Sequence, residues 1–410
     1  MPTNQPPSPP NGRRGRRITA FTLVAGVLAA LSSGVAADDP ERTLEATSPL
    51  RYWDSRSAED GGKIGPDGRL GVLIAGAGEL DVFPEGADPV PADAVAAFVN
   101  VTAVEADAPG FVSVVPASDE ILLTDAVPTT SNLNIDAAGQ TIANSAIIPL
   151  GEGGGIPGQV AVYTSMGTHV LVDVLGYVPA GADYVSIDLE RALDTRPTGG
   201  TDPEQRFDVD VVADFGPPDA SLAIVNLTLI GSDGAGFVTA WPTGADQPDT
   251  SNLNVDGTGQ TRAGLAIVPI GDDDSISVVS STGGDLLVDV LGYFGSTSGF
   301  NGLEPALRAF DSRPDRVEAD TTTQVEVADG SRVPTTAEFA LVNVTAVNAA
   351  DAGFVSVWPS GSDQPDSSNL NHTAGGTIAN TVLVPLGVDG SIDVYNDAEI
   401  DLLVDVIGWL

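Results

Sequence analysis

Six short motifs recur in the same order three times along this 410-residue chain, and that internal repeat constrains the fold more than any other feature. The first is R-x-x-D-[ST]-R, at Arg51 to Arg56, Arg191 to Arg196 and Arg308 to Arg313. An N-[VL]-T triplet follows, beginning at Asn100, Asn226 and Asn343, and then a Gly-Phe pair at Gly110, Gly236 and Gly353. S-N-L-N begins at Ser131, Ser251 and Ser368, and a P-[LI]-G turn at Pro149, Pro269 and Pro385. Each copy closes on D-V-[LI]-G-aromatic, at Asp173 to Tyr177, Asp289 to Tyr293 and Asp405 to Trp409. From the motif aspartate to the closing aspartate the second copy runs from 194 to 289 and the third from 311 to 405. The first, from 54 to 173, carries extra residues around Gly61 to Gly78 and Glu120 to Val127, where surface loops tolerate insertions.

Between the motifs the residues alternate with period two, as in Phe98-Val99-Asn100-Val101-Thr102-Ala103-Val104, rich in β-branched side chains and bounded by Gly, Pro, Asn and Asp. No amphipathic helix is evident after residue 37. Many short strands within about a hundred residues predict an all-β protein of three tandem antiparallel β-sandwich-like repeat domains. A repeat this long exceeds a propeller blade of ~40–50 residues, so each copy reads as a whole domain. The boundaries read as a signal peptide over 1–37, a linker over 38–47, and repeats over 48–179, 183–295 and 300–410. The joints are a few residues long, and the arrangement expected is three beads on a short, stiff string.

The N-terminus supplies the compartment. Arg13, Arg14, Arg16 and Arg17 precede a 14-residue run from Ile18 to Leu31 and then small residues, the layout of a secretory signal peptide with cleavage after Ala37. The run falls short of the ~20 residues that span a bilayer. Arg16-Arg17 also permits twin-arginine export. Cleavage would remove four of 17 basic residues and none of 57 acidic ones, leaving a formal charge of −44. Such a surface disfavours nucleic acid and anionic membranes, and the expectation is no membrane insertion after cleavage. With no cysteine, disulfides, thiolate metal sites and cysteine nucleophiles are excluded.

Six of the 12 arginines that follow residue 37 sit in the R-x-x-D-[ST]-R motifs. On a regular strand Asp54 and Arg56 share a face and Arg51 takes the other. The expected clasp therefore joins Arg56, Arg196 and Arg313, each steadied by Asp54, Asp194 or Asp311, to the closing carboxylates Asp173, Asp289 and Asp405. A carboxylate in an apolar strand normally needs such a partner. The functional alternative is an arginine fork that grips carboxylate or sulfate groups of an acidic glycan. Asn100, Asn226 and Asn343 match the N-glycosylation acceptor, but on strands they read as edge or cross-strand hydrogen-bonding groups.

A sugar site is the second candidate. It would use Asn132 and Asn134, Asn252 and Asn254, and Asn369 and Asn371 as amide donors and acceptors, with Trp241 and Trp358 as stacking platforms. The first copy has Val115 at the tryptophan position, and core packing competes for the other two. Acidic loops at Asp246 to Asp249, Asp272 to Asp274 and Asp363 to Asp366 make calcium the one cofactor worth weighing. None matches an EF-hand, so solvated charge is the default and no metal site is assigned. The two histidines, His169 and His372, occupy different places in their copies, which leaves no repeated catalytic constellation and argues against an enzyme. A glycan hydrolase, which needs only paired carboxylates, stands as a remote alternative.

Taken together, the R-x-x-D-[ST]-R, N-V-T-A-V, G-F-V-S-V-W-P, SNLN and D-V-[LI]-G-[YW] strings resemble a β-rich repeat of secreted proteins from high-GC Gram-positive bacteria. The resemblance covers residues 48 to 410 and departs at Gly264, where the other copies have Asn144 and Asn380. It implies an accessory module, often appended to secreted hydrolases, and assigns no ligand. The expectation is a secreted, non-catalytic binding or adhesion protein at the cell surface, with extracellular or cell-wall polysaccharide as partner and triplication adding avidity. The alternative is a passive, acidic, layer-forming spacer.

Overall fold

The computed structural model describes residues 44–57, 62–80, 83, 89–213 and 216–410. The signal segment 1–37 and the linker up to residue 43 lie outside the described residues. The rest of the linker is strand, beginning at Glu45.

In the first module the strands are β1 (Glu45–Asp54), β2 (Gly68–Leu73), β3 (Ala96–Val104), β4 (Gly110–Pro116), β5 (Leu133–Ile135), β6 (Ile142–Pro149), β7 (Gly151–Gly153), β8 (Ile156–Thr164) and β9 (His169–Val178). They form two antiparallel sheets, one ordered β1-β9-β3-β6 and the other β2-β8-β4-β5, with β7 paired to β8. The second and third modules repeat both orders, so the described residues make six small antiparallel sheets, two per copy. The sheet that holds β3 and β9 also holds the first and last motifs of its module and is called the closing sheet below. The other holds S-N-L-N.

The three modules are not separate beads, and this corrects the expectation of independent domains on a string. The described residues form one compact unit. The inner strands of the closing sheets, β6, Arg262–Pro269 and Ile378–Pro385, touch one another at the centre. Between them sit the S-N-L-N strands, each touching its own module and the next. Counted by sheets, this is a six-blade propeller arrangement, whose blades usually carry four strands. One repeat thus supplies two blades, which is why it is longer than a single-blade repeat.

The alternation of β3 explains how the ring closes. Val99, Val101 and Ala103 on one face pack into the core between the two sheets of the module. The opposite face, which alternation would leave to solvent, is buried as well. Phe98 and Ile147 from module 1, Ile224 and Ile267 from module 2, and Leu341 and Leu383 from module 3 join one cluster at the ring centre. Each such side chain contributes roughly 1.5–3 kcal/mol when buried. No module can keep that share without its neighbours.

The glycine of D-V-[LI]-G serves the same closure. A Cβ at Gly176 would lie 2.3 Å from the Glu45 carbonyl oxygen and 2.7 Å from Leu383 Cδ2 of module 3. A side chain there would push both the first strand and the neighbouring module away.

Shared burial of this kind predicts a single cooperative transition for the ring. Calorimetry of the chain from residue 38 should give equal calorimetric and van't Hoff enthalpies, as for one unit. A van't Hoff enthalpy near one third of the calorimetric value would restore the independent beads.

Candidate functional site

Three motifs far apart in sequence meet in one transverse row across each closing sheet. Strand register sets Arg51 opposite Asp173, Asp173 opposite Asn100, and Asn100 opposite Ser145. The same register lines up Arg191, Asp289, Asn226 and Leu265 in module 2, and Arg308, Asp405, Asn343 and Thr381 in module 3.

The closing aspartate takes a different arginine from the one expected. Arg51 Nε donates to Asp173 Oδ1 at 2.7 Å and Nη2 to Oδ2 at 3.0 Å, and Arg191 holds Asp289 at the same two distances. Arg308 grips Asp405 in the same two-pronged way. The cause is a register shift between Arg51 and Trp53, repeated between Arg191 and Leu193 and between Arg308 and Phe310. A bulge adds one residue to one strand and reverses the parity after it, so the arginine assigned to the outer face turns inward. Burial pushes the carboxyls of Asp173, Asp289 and Asp405 up, and the paired arginines pull them back.

Arg56, Arg196 and Arg313 form a second tier. Each donates Nε and Nη2, and its backbone N–H, to the aspartate two residues earlier. Their side chains remain about half exposed, at 48, 49 and 50%. At Asp194 the Arg196 side chain leads in holding the carboxyl down to about 2. At Asp54 burial opposes ionisation, but the Arg56 bonds outweigh it and the carboxyl again falls to about 2. The result is a rigid guanidinium beside each buried clasp.

The asparagine of N-[VL]-T bonds across modules rather than across strands of its own sheet. Asn100 Nδ2 donates to the Ser368 carbonyl of module 3 at 2.7 Å, Asn226 to Ser131 of module 1 at 3.4 Å, and Asn343 to Ser251 of module 2 at 2.6 Å. Every donor meets the first residue of the S-N-L-N preceding it around the ring. The other residues of that motif are occupied locally. Asn132, Asn252 and Asn369 accept from the backbone N–H of Val114, Ala240 and Val357, at 2.6, 2.8 and 2.7 Å. Asn134, Asn254 and Asn371 accept from the serine hydroxyl three residues earlier.

The sugar platform expected at Trp241 and Trp358 is absent. Both rings are buried, with indole N–H groups bonded to the carbonyls of Ala245 and Ser362, and Arg206 lies over Trp241. In their strands Val238 and Ala240, and Val355 and Val357, face the core, while the tryptophans lie on the opposite parity and are buried beside the segments that carry Ala245 and Ser362. Among the described residues, no three His, Cys, Asp or Glu side chains converge on a common metal position. His169 faces the Ser55 hydroxyl at 3.2 Å, and His372 is a buried ring beside the Asp351 carbonyl.

The three seams are unequal. Between modules 3 and 1, Asn380 adds a bond to Asn100 Oδ1 at 3.0 Å and accepts from the Ser145 N–H at 3.0 Å. Between modules 2 and 3 the equivalent residue is Gly264, and Asn343 Oδ1 has no hydrogen-bond partner. Arg51 and Arg308 also reach across to the carbonyls of Asp366 and Asp249, both at 3.5 Å. Among the described residues, Arg191 makes no counterpart of that bond. At its seam, between modules 1 and 2, a cleft of about 190 Å³ opens instead, lined by Arg191, Arg196, Asp289, Phe111, Thr129 and Asn134 among others. Sequence reasoning missed this site because it depends on which module faces which. The signal available was Thr129, standing where the other copies have Asp249 and Asp366.

No protein-family model matches the chain, and no curated protein sequence matches it either.

Two substitutions test the assignments. Arg51→Met should destabilise by about 3–5 kcal/mol in denaturant melts, since it strands a buried carboxylate, whereas Arg56→Met should cost no more than ~1 kcal/mol. Equal losses would refute the two-tier reading. Asn100→Ala should cost about 1–3 kcal/mol by leaving the Ser368 carbonyl without that donor and the Asn380 amide with only its bond to the Asn369 carbonyl, and Asn226→Ala, with one long bond across its seam, clearly less. The reverse order would show that the seam bonds do not set ring stability.

Proposed function

We propose that the chain is a secreted, non-catalytic protein that binds extracellular or cell-wall polysaccharide, with the modules acting together as one ring. Each module, a pair of facing sheets, is taken as a sandwich-like repeat over 48–179, 183–295 or 300–410. The observation that carries the binding reading is the cleft between modules 1 and 2, which combines an aromatic ring, an amide and two immobilised guanidinium groups. Sugar sites use that mixture, an apolar face for the ring carbons and fixed polar groups for the hydroxyls. The half-exposed Arg56, Arg196 and Arg313, repeated around the ring, add polar contacts beside every seam.

Hydrolysis finds less support at this place. Asp289, the carboxylate in the cleft, is held by two hydrogen bonds from Arg191, which suits a positioned binding group better than a general acid. A passive surface role is favoured by one observation, that the six repeated arginines are all engaged with aspartates of their own module.

The two readings separate in a retention experiment. The chain from residue 38, passed over cell-wall preparations and a panel of neutral and acidic polysaccharides with and without calcium, should be held by at least one of them. Absence of retention on every support would sink the binding reading and leave the passive one.

A further inference from the structure

Threefold sequence repetition suggests three equivalent ligand sites, but the seams differ in the features that a ligand would meet. At two of them an arginine reaches across to a neighbouring carbonyl, Arg51 to Asp366 and Arg308 to Asp249, and an aspartate side chain stands at that position. At the third, Thr129 removes the acid, Arg191 makes no such bond among the described residues, and the cleft opens beside the Arg262–Asp136 pair that joins the modules. Asn134 lines that cleft beside Arg191 and Arg196.

The charges around the cleft cancel. Arg191 is bound to Asp289 and Arg196 to Asp194, so the two cations have two anions as partners. An acidic sugar would enter against those carboxylates and against the formal charge of −40 of the whole chain. A hydroxyl-rich, uncharged sugar loses nothing to either, because each hydroxyl can both donate and accept. Phe111, half-buried and tilted against Tyr163 at 5.6 Å, supplies the surface for the apolar side of the ring. The volume of about 190 Å³ is below the ~300–1,000 Å³ of sites for drug-sized ligands, which limits occupancy to about one sugar ring.

We infer that the ring has one saccharide subsite, not three, and that the seam between modules 1 and 2 takes a single uncharged sugar residue of a polysaccharide in preference to a uronic acid. The inference rests on the binding reading above and narrows it to a place, a stoichiometry and a ligand class.

Titration calorimetry of the chain from residue 38 tests it, with the neutral trisaccharides of glucose, galactose, mannose and rhamnose, and trigalacturonate, as probes. At least one neutral probe should bind with one site per chain, at least tenfold more tightly than trigalacturonate. Thr129→Trp, at an exposed position, should fill the cleft and weaken that binding at least tenfold while leaving the melting temperature unchanged. Should that variant fold poorly, the Phe111 ring resonances of the unsubstituted chain provide the check, and they should shift on adding the neutral probe. Three sites per chain, a preference for trigalacturonate, an unaffected Thr129→Trp, or unmoved Phe111 resonances would each overturn the inference. Those results would leave the binding reading standing if the polysaccharide panel still retains the chain. Failure on the whole panel would instead overturn the binding reading itself.

Discussion

The hydrogen bond from each N-[VL]-T asparagine to the S-N-L-N serine of the preceding module is the interaction on which the ring depends. A strand amide that faced water would be replaceable by almost any polar residue. Here it lies buried on a face shared with Phe98 and Ile147, where an unmatched amide is penalised more than a matched one is rewarded. Apolar contact pulls the modules together without choosing a register. The asparagine bond chooses it, because only one docking height brings the amide to the serine carbonyl. The arginine clasp supports this from behind, since Asp173 flanks Asn100 on the adjacent strand and would otherwise be an unpaired charge inside the same seam.

Much of the fold was legible because its signals are local. Period-two alternation marked β3 and β9, and turn residues bounded them. The repeat itself showed that one module had been written three times. The arrangement of modules was not legible, and Phe98-Val99-Asn100-Val101-Thr102 shows why. Alternation says that the two faces differ, but it does not say that the polar one is exposed. In this strand both are buried, and the asparagines are polar because they meet a polar motif of another module. The clasp failed in a more specific way. Counting two residues per face assigned Arg56 to the closing aspartate, and a one-residue bulge after Arg51 reversed the assignment in all three copies. Likewise, Trp241 and Trp358 carried the composition of a sugar platform, but both rings are buried on the face opposite the core residues of their strands, with their N–H groups bonded to the carbonyls of Ala245 and Ser362.

The differences between seams follow from how the chain is threaded. Modules 1 and 2, and modules 2 and 3, are joined by a few residues of backbone, and one such joint is tied down where Asp183 accepts from the Thr297 N–H. Modules 3 and 1 have no such link, so their contact must form without the advantage of a short tether. That seam is held by Asn100 to Ser368, Asn380 to Asn100, the Ser145 N–H to Asn380, and Arg51 to Asp366, and the seam between modules 2 and 3 by Asn343 to Ser251, Arg308 to Asp249, the Thr377 N–H to Asp256 and Thr381 to the Leu265 carbonyl. The tethered seams tolerate losses. One has Gly264 in place of an asparagine, and the other, though Arg262 pairs with Asp136 across it, has among the described residues no bond from Arg191 to the neighbouring carbonyl.

Tolerance of that kind is what allows a site to arise. In a ring of identical modules every seam would be closed equally, and opening one would open the weakest point of the whole assembly. Tethering transfers part of the closure from side-chain bonds to the backbone, so a tethered seam can lose a contact and still hold. The seam between modules 1 and 2 has done so next to the enlarged loop of the first module. There the short helix α1 (Asp119–Leu123), capped by Ser118, leads into a segment that Arg69 secures through the Ala126 carbonyl. That segment runs directly into Pro128 and Thr129 at the cleft. The same insertion that breaks the repeat in sequence therefore shapes the mouth of the seam that opens into the cleft, which makes departure from threefold symmetry, rather than the symmetry itself, the better guide to where this ring meets a ligand.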